Sequence, residues 1–137
     1  MSAAATRIES YVEELGAGCA AAITGALAAG AARLAARVSG DAAAAEKLRA
    51  LGARLVSLAD EDAVAYTSFL ASRSDEARER TIAVPLEIAA LADEVRRLAA
   101  GVVETGKPSV SGDAEAGVEL ATAAARVCNR LAELNRG

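Results

Sequence analysis

Residues 48–71 read LRALGARLVSLADEDAVAYTSFLA, and this stretch decides the fold. Leu48, Leu51, Leu55 and Leu58 step by three and four, the spacing that lines side chains along one face of an α-helix. The same steps lead on to Asp62, then to Ala65 with Tyr66, then to Phe69. A helix is therefore predicted from about Ala42 to Ala71, with Asp41 as its N-cap. One slot of its apolar stripe holds an acid. Asp60 and Glu61 fall to the sides of that stripe, where water can solvate them, so Asp62 is the inward carboxylate of the three.

Working outward, Ser2 caps a first helix from about Ala3 to Leu15, with Ile8, Tyr11, Val12 and Leu15 on one stripe. Gly16 and Gly18 interrupt it. A second helix runs from about Cys19 to Val38; its low polarity all round predicts neighbours on every side, and Gly25 and Gly30 allow close backbone approach. Ser74 or Asp75 caps a fourth helix that passes through Pro85 to about Gly101, with a bend expected near Val84. Glu87 stands at the edge of its stripe of Ile88, Leu91, Val95, Leu98 and Val102. Thr105 to Asp113, TGKPSVSGD, reads as a loop, with Asp113 capping a last helix to about Leu134. Gly117, Leu120, Ala121, Ala124, Cys128 and Leu131 would face inward there.

Composition supports an all-α fold. Apolar residues are 53% of the 137 and aromatics 2%, so the core must be built from Ala, Leu, Val and Ile. Ala and Leu favour helix, and strand-favouring residues are sparse. The length suits a single domain over residues 1–137. With 15 basic and 19 acidic residues spread along the chain, a net charge of -4 gives no basic track for nucleic acid. Leu15 to Ala32 carries no charge but is mostly Ala and Gly, and acids rather than bases precede it. A buried helix is expected there, not a membrane span or a signal sequence. Cys19 and Cys128 lie far apart and the chain has no histidine, so neither a Cys/His zinc site nor a histidine triad can be assembled. Without a disulfide framework the expected compartment is the reducing cytoplasm.

Acid/base chemistry must then come from a carboxylate, a tyrosine or a lysine in a perturbing environment. Asp62 is the leading candidate. An inward carboxylate must be paired, hydrogen-bonded or held protonated, so a structural ion pair or a cap on a neighbouring helix remains open beside a catalytic role. Asp113 reads first as a helix cap, and Glu87 equally as a solvated flank. The Gly16–Gly18 turn could offer amides and a positive helix end to an anion. Cys19 stands there either as a thiol activated by the helix end or as a small core residue.

Three stretches resemble the cyclodeaminase/cyclohydrolase family of folate one-carbon metabolism. LADEDAVAY at 58–66 is similar to the family's LADEDAxAF, VPLEIAALA at 84–92 matches closely, and GKPSVSGDAEAGV at 106–118 looks like GNPNxxSDxGVA. More loosely, GAGCAAAITGALAAGAARLAARVS at 16–39 follows the family's glycine-rich entry to a helix. Where the family has PTPGGGS, this chain has EELGAGC, and the family's SD is SGD here.

The resemblance implies an up-and-down helical bundle assembled as a homodimer, acting on a tetrahydrofolate derivative as substrate with no metal or redox cofactor. It implies Asp62 as the proton-transferring group and Asp113 as a second acid/base or a holder of the pterin ring. It also implies a substrate surface drawn from Gly16, Gly18, Cys19, Tyr66, Glu87, Lys107 and Ser111. The changes at the ligand-facing turns leave a second reading, a non-catalytic or repurposed helical dimer that keeps the fold and binds another ligand or partner.

Overall fold

The computed structural model describes residues 2–137. The described residues form five α-helices and a short 3-10 turn: α1 Ala3–Val12, α2 Ala17–Val38, α3 Ala42–Ser72, α4 Asp75–Thr105, the turn Pro108–Val110, and α5 Ser111–Arg136. No strand occurs among them, so the all-α expectation holds.

Local chemistry sets the boundaries. The Ser2, Asp41 and Ser74 side chains accept from the amides of Ala5, Ala44 and Ala77, capping α1, α3 and α4. Between α2 and α3 the chain reverses through Gly40 at φ 80, a left-handed conformation that glycine adopts freely. Arg73 ends α3 at φ 55, its guanidinium 5.1 Å from the centre of the Phe69 ring.

The last helix starts earlier than expected. Pro108, with φ fixed by its ring, opens the 3-10 turn that leads straight into α5. Asp113 therefore lies inside the first turn, and the N-cap position is Val110, which gives no side-chain hydrogen bond.

α2 to α5 pack as an antiparallel bundle, with α2 touching α3, α4 and α5. Leu48, Leu55, Leu58, Val84, Pro85, Ile88, Val95 and Cys128 are its largest fully buried side chains, and alanines fill most of the remainder. Such small residues let helices close tightly: a Cβ at Gly25 would come within 3.2 Å of Leu55. Replacing Leu55 by Ala should cost about 2–5 kcal/mol through the cavity left behind.

Two expectations need correction. α2 is not surrounded. A Cβ added at Gly30 would meet nothing within 4 Å, and Leu27, Leu34 and Val38 are exposed. α1 packs on no other helix, and its stripe of Ile8, Tyr11 and Val12 is exposed. In both helices the apolar period is real, but a period does not say whether the chain itself supplies the covering partner.

Candidate active site

One end of the bundle holds a cavity of about 520 Å³. α2 contributes its first turn, Ala17 to Cys19; α3 contributes Asp62, Ala63, Tyr66 and Thr67; α4 contributes Thr81 and Pro85; α5 contributes Leu131 and Asn135. Glu14 and Gly16 form part of the rim.

Asp62 reaches this cavity by its place on the Leu48–Leu58 stripe. Its carboxylate lies directly over Gly18, where any Cβ would collide with it. Glycine is needed here for space. Gly16 gives α2 no side-chain cap, so the helix opens with amides that no N-cap side chain occupies.

Among the described residues Asp62 has no salt-bridge partner; its one polar contact is the Cys19 thiol, at 4.0 Å. Burial raises its carboxyl above the ordinary 3.8. The ion-pair reading is thus not what forms, and a carboxyl that keeps its proton at higher pH than usual is the result.

Cys19 is buried and donates its thiol to the Ala59 carbonyl at 3.0 Å. Burial first, then the neighbouring Asp62, raises its pKa. The helix end does not make it an activated thiolate. Cys128 is buried too, and its thiol is pushed up to about 12 by burial and then by Asp62. Tyr66 is exposed and stands over the cavity. Tyr11 has its phenol raised by burial, then by Cys19 and Asp60.

The other two acids of the DED run behave differently. Asp60 is exposed. Glu61, expected to be solvated, binds Arg54 at 2.6 Å and Arg80 at 3.4 Å, tying α3 to α4. Glu87 joins that seam through Arg54 at 2.8 Å and does not line the cavity.

Lys107, Ser111 and Asp113 stand at the opposite end. The Lys107 amide donates to Ser39 Oγ at 2.9 Å, just beyond the C-terminus of α2. Asp62 sits at the N-terminus of the same helix, about 30 Å away at 1.5 Å per residue. The chain therefore gathers Asp62, Gly16, Gly18, Cys19 and Tyr66, and does not bring Asp113, Lys107 or Ser111 to them.

Sequence reasoning missed Thr81 and Asn135. Pro85 has no N–H, so the Thr81 carbonyl four residues back loses its helical donor. Asn135 Nδ2 supplies one at 2.8 Å. The signal was present in the proline, whose orphaned carbonyl had to find a partner, but sequence does not say that α5 ends beside it.

Among the described residues no three Cys, Asp or Glu side chains come together as a metal site. α2 is long and apolar enough to cross a membrane by length and composition alone, and in the fold its inner face is buried against the other helices.

The fold is similar to the crystal structure of formiminotetrahydrofolate cyclodeaminase from Thermotoga maritima, with a TM-score of 0.84 and 17% identity over 88% of this chain and 70% of that one. No curated protein matches the sequence. The family model described as formiminotransferase-cyclodeaminase matches residues 3–136, nearly the whole chain, and the protein belongs to that family.

Proposed function

We propose that the protein is a folate one-carbon enzyme of the cyclodeaminase or cyclohydrolase type, with Asp62 as its proton-transferring group. One observation carries the reading: an acid on the LADEDAVAY segment, without a basic partner, is held at the wall of a cavity of about 520 Å³. That volume lies within the range of small-molecule sites.

In the deaminase direction the substrate carries a formimino group on N5 of tetrahydrofolate. N10 attacks the amidine carbon, forming the N10–C bond. The bond from that carbon to the exocyclic nitrogen then breaks, N10 gives up its proton, and the departing nitrogen takes up protons and leaves as ammonia. A carboxyl that retains its proton unusually well suits delivery to the departing nitrogen, and its carboxylate form can accept the N10 proton. The dry wall behind Asp62 strengthens its interaction with the developing charge. Tyr66 offers a ring to the pterin, and the first amides of α2 offer donors to a substrate oxygen or carboxylate. In the hydrolase direction water takes the place of the amine. The protein acts as a homodimer without a metal, in the cytoplasm.

The test is turnover of 5-formiminotetrahydrofolate and of 5,10-methenyltetrahydrofolate, followed through the absorbance of the methenyl form, beside Asp62→Asn. Turnover by the parent and its loss in the variant are expected. Absence of turnover together with absence of folate binding by calorimetry would overturn the assignment.

A further inference from the structure

Asp62 and Asn135 both line the cavity, yet they come from helices that do not meet. α3 and α5 each pack on α2 and α4 and, among the described residues, not on each other, so they form a diagonal of the bundle. A ligand that fills the cavity lies between the two side chains. Asp62 brings a proton. Asn135 brings an amide whose two ends differ, an NH2 that donates and an oxygen that accepts.

The fold decides which end of that amide faces which way. Pro85 leaves the Thr81 carbonyl without its helical donor, and a carbonyl can only accept, so the Asn135 atom that meets it at 2.8 Å is Nδ2. A flip of the amide would set oxygen against oxygen. The Thr81 hydroxyl does not compete, because it donates to the Arg78 carbonyl at 2.7 Å. The backbone beneath Asn135 is held as well: the Arg78 guanidinium donates to the carbonyls of Asn135 at 3.3 Å and Arg136 at 2.6 Å, closing the last turn of α5. A side chain in the last turn of a helix is otherwise free to rotate. This one is tethered through its backbone and through Nδ2, and its Oδ1 is left as a fixed acceptor that takes no hydrogen bond among the described residues.

We propose that Asn135 Oδ1 is the specificity determinant of the cavity, accepting a hydrogen bond from the exocyclic 2-amino group of a pteridine ring and turning the reacting edge of that ring towards Asp62. The proposal rests on the folate reading above and deepens it. In a pteridine the 2-amino group lies on the pyrimidine ring, on the side away from N5, so an acceptor on α5 and an acid on α3 meet opposite ends of one ring system. A ring without an N–H at that position would leave Oδ1 unpaired once the ligand has excluded water, which is how a placed polar group rejects the wrong ligand. Pro85 takes part without touching the amino group. By removing one N–H from α4 it recruits Nδ2 and so orients the oxygen.

Calorimetry of the full chain with tetrahydrofolate and with its 2-desamino-2-methyl counterpart, the same shape without the amino N–H, tests the contact. The parent should bind tetrahydrofolate about 10-fold more tightly, the weight of one well-placed hydrogen bond. Asn135→Ala removes the acceptor and should bring that ratio to about 1. Asn135→Asp keeps an acceptor but loses the donor to Thr81, so it should melt below the parent and still prefer the amino compound about 10-fold or more. That split separates a contact with the ligand from a purely structural role, in which the two variants would behave alike. Should Asn135→Ala fail to fold by circular dichroism, the double variant Pro85→Ala with Asn135→Ala, which gives the Thr81 carbonyl its backbone donor back, supplies the same comparison. An unchanged ratio in the alanine variant, or an aspartate variant without preference, would overturn the proposal. A parent that turns over the folate substrate but binds both compounds equally would overturn it and leave the functional reading standing. A parent that binds neither compound would overturn both.

Discussion

The two ends of the bundle are made of the same materials and put them to opposite uses. At the other end, Ser39 Oγ takes the Lys107 amide and the Asp41 side chain takes the Ala44 amide, so polar groups meet polar groups. At the open end, Asp62 has only a distant thiol, Gly16 gives no cap, and burial leaves the carboxyl raised. A polar group left unmatched beside a cavity represents free energy that a ligand can recover. Both ends carry segments that resemble the family's motifs, and the cavity of about 520 Å³ lies at the end that holds Asp62.

The largest effect that would break this contrast concerns Asp62 itself. Asp62→Asn should lower turnover about 10²-fold or more, the usual weight of a positioned acid or base. It should not lower stability. Because burial raises the carboxyl, the folded chain binds its proton more tightly than the unfolded one. The stability contributed by the protonated form is therefore complete below the ordinary 3.8 and is lost as pH rises through the raised value. Asparagine removes that loss, so the variant should melt at or above the parent at pH 7, with the difference fading towards pH 4. A clear fall in melting temperature at pH 7 would make Asp62 a structural residue.

Next comes Gly18→Ala. Its new Cβ must displace the Asp62 carboxylate or the helix beneath it. Overpacking of this kind costs about 1–3 kcal/mol, and a misplaced acid should lose about 10²-fold in turnover. An unchanged rate would separate Gly18 from the site.

Asn135→Ala should cost about 1–3 kcal/mol in chemical denaturation, because it leaves the Thr81 carbonyl without a donor. Pro85→Ala restores the helical N–H, so the cost of Asn135→Ala should shrink in that background. Additive losses in the double-mutant cycle would contradict the pairing.

The smallest effect is on the α3–α4 seam. Glu61→Gln breaks exposed or half-exposed pairs with Arg54 and Arg80 and should cost no more than about 1 kcal/mol, less in high salt. A larger, salt-independent loss would mean that Glu61 belongs with Asp62 rather than beside it.

Much of the fold could be read from period alone. Leu48 to Leu58 fixed the face of α3, and Asp62 followed as its inward acid, because a helix repeats at one angle per residue and that angle survives folding. Periodicity failed where it had to predict partners. The stripe of α1 and the outer face of α2 carry large apolar side chains, yet among the described residues these stay exposed. The cavity was half legible. Gly18 and Cys19 stand in the first turn of α2 and Asp62 lies in the second half of α3, so an antiparallel pair brings them together. Asp113 was placed with them by motif, but α5 begins where α2 ends, and chain direction put it about 30 Å away. Thr81 and Asn135 depend on a contact between residues 54 positions apart, which no local pattern encodes.

The central claim is that the open end holds an uncompensated, proton-retaining carboxyl. Its most direct test is a carbon-13 NMR titration of the aspartate side-chain carboxyls, with Asp62 assigned by its disappearance in Asp62→Asn. The expected result is an Asp62 midpoint clearly above 3.8 that shifts when a folate ligand fills the cavity. A midpoint at or below 3.8 would show that the carboxylate has found a compensating partner, and would contradict the account.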